Sequence, residues 1–99
     1  MAPIALSGPL TRAEVMDHLA HLKTQMQDHL RGMQADSTPA PMEVNLGGLT
    51  QVDTSALAMM LAVEREARAL GIAVHWRSIP TSLQALARLS SVESLFRFA

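Results

Sequence analysis

Asp53, Thr54 and Ser55 set a carboxylate and two hydroxyls side by side, a few residues after Gly47-Gly48. Each of these side chains is a good helix N-cap, because its oxygen can accept a backbone N–H that the first helical turn leaves free. A capped helix start is their simplest use. Ser, His and Asp all occur in the chain, but in no arrangement that suggests a nucleophile with its base. His18, His21 and His29 form a second group. On a helix they fall within about 80° of one another, with Asp17 and Asp28 close in sequence. Imidazole and carboxylate are good metal ligands. Only the i,i+3 spacing of His18 and His21 links two of them, and no third ligand is fixed. They are expected to form the solvated border of a helix, and no metal site is assigned. Gly47-Gly48 lacks the following Lys and the spacing of a phosphate loop. His75 alternates out of phase with Val74 and Trp76 and is expected to be exposed or partly covered, with Trp76 in the core. The expectation is a binding protein with no enzyme activity and no cofactor.

The composition fits that expectation. Ninety-nine residues suit one domain, 1–99, with little stability to spare. The chain is 48% hydrophobic but only 3% aromatic, so Leu, Ala, Val, Ile and Met must build the core. Seven methionines suit irregular gaps and adaptable binding surfaces. The net charge of -1, with no block of like charge, argues against nucleic acid, which needs a basic footprint. With no cysteine there is no disulfide framework and no thiolate metal site. Met1 to Leu10 has no basic start and no long apolar run, so no signal peptide is expected. The longest apolar run, Ala56 to Val63, is eight residues, too short to span a bilayer. A soluble protein is expected, able to dock on a membrane protein.

The elements that must position these residues can be read from periodicity. Ile4–Leu6 reads as a strand closed by Ser7-Gly8-Pro9. A helix follows from about Thr11 to Arg31, with Thr11 and Glu14 at capping-box spacing. Its apolar stripe is Val15, Leu19, Leu22, Met26, Leu30 and Met33. Asp36 to Pro41 is a loop. Met42–Leu46 is the second strand, with Val44 and Leu46 on one face, and Gly47-Gly48 ends it. The second helix begins at Asp53 or Thr54 and stops before Gly71. Ile72–Arg77 is the third strand. Pro80 opens a third helix with Leu83, Leu86, Ala87 and Leu89 as its stripe. Val92, Leu95, Phe96 and Phe98 form a short tail packed on the core. The β-α-β-α-β-α order predicts a single-layer α/β domain with a mostly parallel sheet and crossover helices.

The second helix carries two apolar stripes. At about 100° per residue, Ala56, Met60, Val63, Ala67 and Leu70 share one face, with Leu57 at its edge. That face suits the sheet. Thr54, Ala58, Leu61 and Ala62 line up on another side, and Arg65 continues the line. A small α/β domain has no internal use for a second stripe unless the first helix or the tail covers it. An apolar patch with a polar rim marks a partner surface.

The run Val52-Asp53-Thr54-Ser55-Ala56-Leu57, between a strand and an apolar helix, resembles the signature of STAS domains. Gly71-Ile72-Ala73-Val74, then Ile79-Pro80-Thr81-Ser82-Leu83-Gln84-Ala85-Leu86-Ala87-Arg88-Leu89 and Val92-Glu93-Ser94-Leu95-Phe96, are also similar to the family. The likeness covers about Pro41 to Phe96, with weaker support from Ala5 to Leu10. It implies a STAS fold with a small, mostly parallel or mixed sheet. Ala56 stands where the family commonly has Gly, which tightens the packing required there. The short start is most similar to the small, MlaB-like STAS subunit of Mla-type phospholipid ABC transporters.

That resemblance implies binding to the cytoplasmic ATPase subunit, in support of transporter assembly and activity, at the periphery of an inner-membrane complex. Partner-binding residues would be Asp53, Thr54, Ser55, Ala58, Leu61 and Ala62. The alternative is an anti-sigma-factor antagonist in a partner-switching pathway. In that case Thr54 matches the hydroxyl residue that an anti-sigma-factor kinase phosphorylates. Neither reading calls for nucleic acid, membrane insertion or a metal.

Overall fold

The computed structural model describes residues 4–32 and 41–98, with backbone alone for Glu93, Arg97 and Phe98. The chain runs β1 (Ile4–Leu10), α1 (Val15–Arg31), β2 (Met42–Val52), α2 (Thr54–Leu70), β3 (Val74–Arg77), α3 (Thr81–Leu89), a 3-10 turn (Glu93–Leu95) and β4 (Arg97–Phe98). The strands form one sheet in the order β1-β2-β3-β4, and every pair is parallel. Strand order never reverses, and crossovers of one hand that advance in one direction place their helices on one face. The result is two layers, a sheet and a helical layer, rather than the single layer expected. Alternation along the strands agrees. Leu6, Met42, Val44, Leu46, Val74 and Trp76 point into the core, whereas Ala5, Ser7, Glu43, Asn45, His75 and Arg77 are half-buried or exposed. On that open face the Arg77 guanidinium donates to Glu43 Oε1 at 2.6 Å.

Two strands are longer than their sequences suggest. β1 runs on through Gly8-Pro9, and β2 continues through Gly47-Gly48 to Val52. Both breakers are absorbed by register shifts, between Ala5 and Ser7 and between Gly8 and Pro9. Gly8 takes φ of 78°, a conformation cheap for glycine alone. Pro9 stands on an edge strand, where a missing N–H costs no ladder bond if it faces outward. At the first shift Asn45 Oδ1 accepts the Gly47 N–H at 2.7 Å. Gly48 has a different role. A Cβ there would lie 2.9 Å from Leu6 O and 3.2 Å from Ser7 Cβ. The neighbouring backbone cannot move aside without disturbing the β1–β2 pairing. Gly48→Ala is therefore expected to destabilise the fold by about 1–3 kcal/mol, read as a lower urea midpoint. An unchanged midpoint would show that the bulge relaxes freely.

Other differences have local causes. Ile72 lies outside β3 because its N–H bonds to Ala67 O at 2.8 Å, while Gly71 N–H bonds to Arg68 O at 3.2 Å. This pair of bonds closes α2 around Gly71, whose φ is 75°. The same bonding closes α3, with Ser91 at φ 57° in the glycine position and Val92 N–H on Ala87 O at 3.0 Å. That turn leads the tail back to the sheet, where β4 adds the fourth strand that was read only as an apolar tail. Leu89 is 83% exposed, not part of the α3 stripe. It stands about 120° around the helix from Leu83. Thr11 and Glu14 do meet, hydroxyl to carboxylate at 2.7 Å, but regular helix begins only at Val15. Met33 and most of the 36–41 loop lie outside the described residues.

Candidate functional site

The site begins with how α2 starts. Asp53 has extended backbone, and its Oδ1 accepts the Ser55 N–H at 2.8 Å. This is the N-cap expected from the sequence. Asp53 also does something the sequence did not suggest. Its Oδ2 accepts the Arg12 N–H at 3.1 Å, so one carboxylate ties the start of α2 to the turn after β1. Leu10 and Val52, which end the two strands, are register partners. The contact therefore lies at the carboxyl edge of the sheet, where α/β folds place their functional groups. A ligand crevice forms there when strand order reverses. Here the order runs straight through, so no such crevice forms at that edge.

Burial pushes the Asp53 carboxyl up, but N–H groups of Arg12, Ser55 and Ala56 and the Ser55 hydroxyl outweigh it, leaving its pKa below the ordinary 3.8. A lowered folded value means the fold prefers the carboxylate. That stabilisation is complete above pH 3.8 and is lost as pH falls through the folded value. Asp53→Asn keeps a capping acceptor but cannot titrate. Its single amide oxygen can accept only one of the two N–H groups that the carboxylate holds, so it should start less stable than the parent near neutrality and lose less stability than the parent in acid, in urea melts between about pH 5 and pH 2. Equal acid sensitivity of the two proteins would remove Asp53 from the account.

Burial along α2 follows the two stripes. Ala56, Met60, Val63 and Ala67 are fully buried, and Leu57 nearly so. Thr54 and Ala58 are exposed, and Ser55, Leu61 and Ala62 are half-buried. The second stripe is thus left partly uncovered, open at Thr54 and Ala58 and half-covered at Leu61 and Ala62. Asp53, Thr54, Ser55, Ala58, Leu61 and Ala62 form one continuous strip from the cap through two turns. Met16, 69% exposed on the first turn of α1, was overlooked. Its signal was legible, since it is an apolar residue out of phase with the Val15–Leu19–Leu22 stripe.

The histidines separate. His18 Nε2–H donates to Pro9 O at 3.2 Å, which satisfies a carbonyl near the end of β1. His21 is exposed, but His29 is buried rather than on a solvated border. It follows Leu22 by seven residues, about 20° short of two full turns, and so lies on the stripe itself. Among the described residues no three His, Cys, Asp or Glu side chains converge as metal ligands. His75 is half-covered on the open sheet face, as its phase implied. Trp76 is fully buried, and its indole N–H donates to Glu64 Oε1 at 2.8 Å.

Comparison with known proteins agrees with this architecture. The family described as Mlab, STAS domain matches residues 2–97. The STAS domain of a SulP transporter from Vibrio cholerae has the same fold, with a TM-score of 0.60 at 15% identity, over 97% of this chain and 70% of that one. No curated protein matches the chain. The fold, the capped start of α2 and the match along nearly the whole sequence agree, and the chain belongs to the MlaB-type STAS domain family.

Proposed function

We propose that the chain is a non-catalytic accessory subunit that binds the cytoplasmic ATPase of a phospholipid-transport ABC system and supports its assembly and activity. The observation that carries this reading is the second stripe of α2, with Thr54 and Ala58 exposed and Leu61 and Ala62 half-exposed beside a buried first stripe. A small protein keeps such a strip uncovered when a partner covers it. Asp53, Thr54, Ser55, Ala58, Leu61 and Ala62 are the docking residues. The ATPase would hold the subunit at the cytoplasmic periphery of the membrane complex. Among the described residues no helix is long and apolar enough to cross a membrane. The exposed hydroxyl of Thr54 favours a second reading, an antagonist phosphorylated by an anti-sigma-factor kinase.

Co-purification from native membranes separates the two. Tagged protein is expected to bring down an ABC ATPase with its permease, and Ala58→Glu is expected to lose them. Recovery of a kinase and its sigma factor would replace the first reading with the second. Recovery of neither would overturn both.

A further inference from the structure

A hollow of about 450 Å³ lies between the second half of α2, the residues leading into β3 and the 3-10 turn, away from the capped start of α2. Glu64, Arg68, Ile72, Val74, Ser94 and Leu95 line it. A smaller hollow beside it shares Glu64, Arg68 and Leu95 and reaches Leu61. Such a volume is in the range that holds small molecules.

Glu64 is 9% exposed, and Trp76 holds one of its oxygens. No cation of the described residues stands within ion-pair distance of it. Among those residues no sealed side-chain oxygen or nitrogen lacks a hydrogen-bond partner. Oε2, which has none, therefore keeps some access to solvent, and Glu64 lines both hollows. Arg68 follows one turn later, at the spacing where Glu and Arg ordinarily pair on a helix. Here they do not. The Trp76 N–H draws the carboxylate inward, and Arg68 Nη2 reaches out to Leu95 O at 3.3 Å. That bond uses one of five guanidinium N–H donors.

We propose that this hollow binds a small zwitterion, a molecule with a protonated primary amine and an anionic group a few atoms apart. The amine bonds Glu64 Oε2 at the floor, and the anion meets the remaining donors of Arg68 at the rim. The exposed Leu95 side chain takes an aliphatic body at the edge of the hollow. A buried carboxylate without a cation is costly, and the ammonium removes that cost. A simple anion meets the carboxylate and is repelled, and a hydrocarbon leaves it dry. This proposal does not depend on the docking reading.

The test is amide NMR of the intact chain with L-leucine and phosphoethanolamine at millimolar concentration. Isoamylamine and isocaproate, the two halves of leucine, serve as controls. At least one zwitterion should shift the amides of residues 71–74 and 94–95 while leaving those of 53–58 in place. Leucine alone would mark a free amino acid as the ligand class, and phosphoethanolamine alone a headgroup-like phosphate. Single-charge controls should bind at least about tenfold more weakly than the better zwitterion. Glu64→Gln keeps an acceptor for Trp76, and Arg68 is exposed, so both Glu64→Gln and Arg68→Gln should fold. Each should weaken binding by at least about tenfold. Shifts from neither zwitterion would overturn the proposal. So would equal binding by a control, or undiminished binding by either folded variant.

Discussion

Thr54→Glu will fold normally and lose its partner. The side chain is exposed at the first position of α2, so a longer residue meets no packed neighbour. A negative charge in the first helical turn also interacts favourably with the helix dipole. Circular dichroism and the melting temperature should therefore match the parent. Binding is a different matter. The new carboxylate stands beside Ala58 and Ala62, and a partner built for that strip must strip its water without offering a cation. We expect affinity for the proposed ATPase partner to fall at least about tenfold. Phosphate at Thr54 would act in the same direction with more charge. Thr54→Ala is the control. Asp53 provides the cap, so this change should alter stability by no more than about 0.5 kcal/mol and leave binding in place. Parent-like binding by folded Thr54→Glu would move the functional surface elsewhere on the molecule.

Trp76→Ala should destabilise the fold most. The side chain is fully buried in the centre of the sheet, and its ring meets Phe96 edge-on with centroids 6.3 Å apart. Truncation of a large core aromatic costs about 3–5 kcal/mol. Domains of this size are commonly stable by about 5–15 kcal/mol, so the variant should unfold at low urea or near physiological temperature. Trp76→Phe separates packing from hydrogen bonding. It keeps a ring but leaves Glu64 Oε1 without its donor, at a cost of about 1–3 kcal/mol. Adding Glu64→Met to Trp76→Phe should recover much of that loss, because no buried carboxylate is then left unpaired. A double-mutant cycle on urea midpoints measures the coupling. If Trp76→Phe were as stable as the parent, the indole N–H would contribute nothing and the Glu64 contact would be incidental.

The sequence by itself determined what depends on near neighbours along the chain. The 3.6-residue period sorted α2 into a buried Ala56–Met60–Val63–Ala67 face and an uncovered Thr54–Ala58 side, because a helix fixes angular positions without reference to the rest of the fold. Asp53 and Gly71 marked its ends, because capping bonds are local. Alternation identified which faces of β2 and β3 are buried. Tertiary structure decided whatever needs a distant partner. Gly8-Pro9 and Gly47-Gly48 read as stops, yet both strands continue, because pairing with a neighbouring strand carries the backbone through bulges. The tail became β4 because Trp76 and His75 offered it a free edge. Asp53 acquired its second bond from Arg12, 41 residues away, once β1 and β2 ended side by side. No pattern in the sequence marks Glu64, a charged residue, for the core. It is buried all the same, because Trp76 on a neighbouring strand supplies the hydrogen bond that makes burial of a carboxylate tolerable.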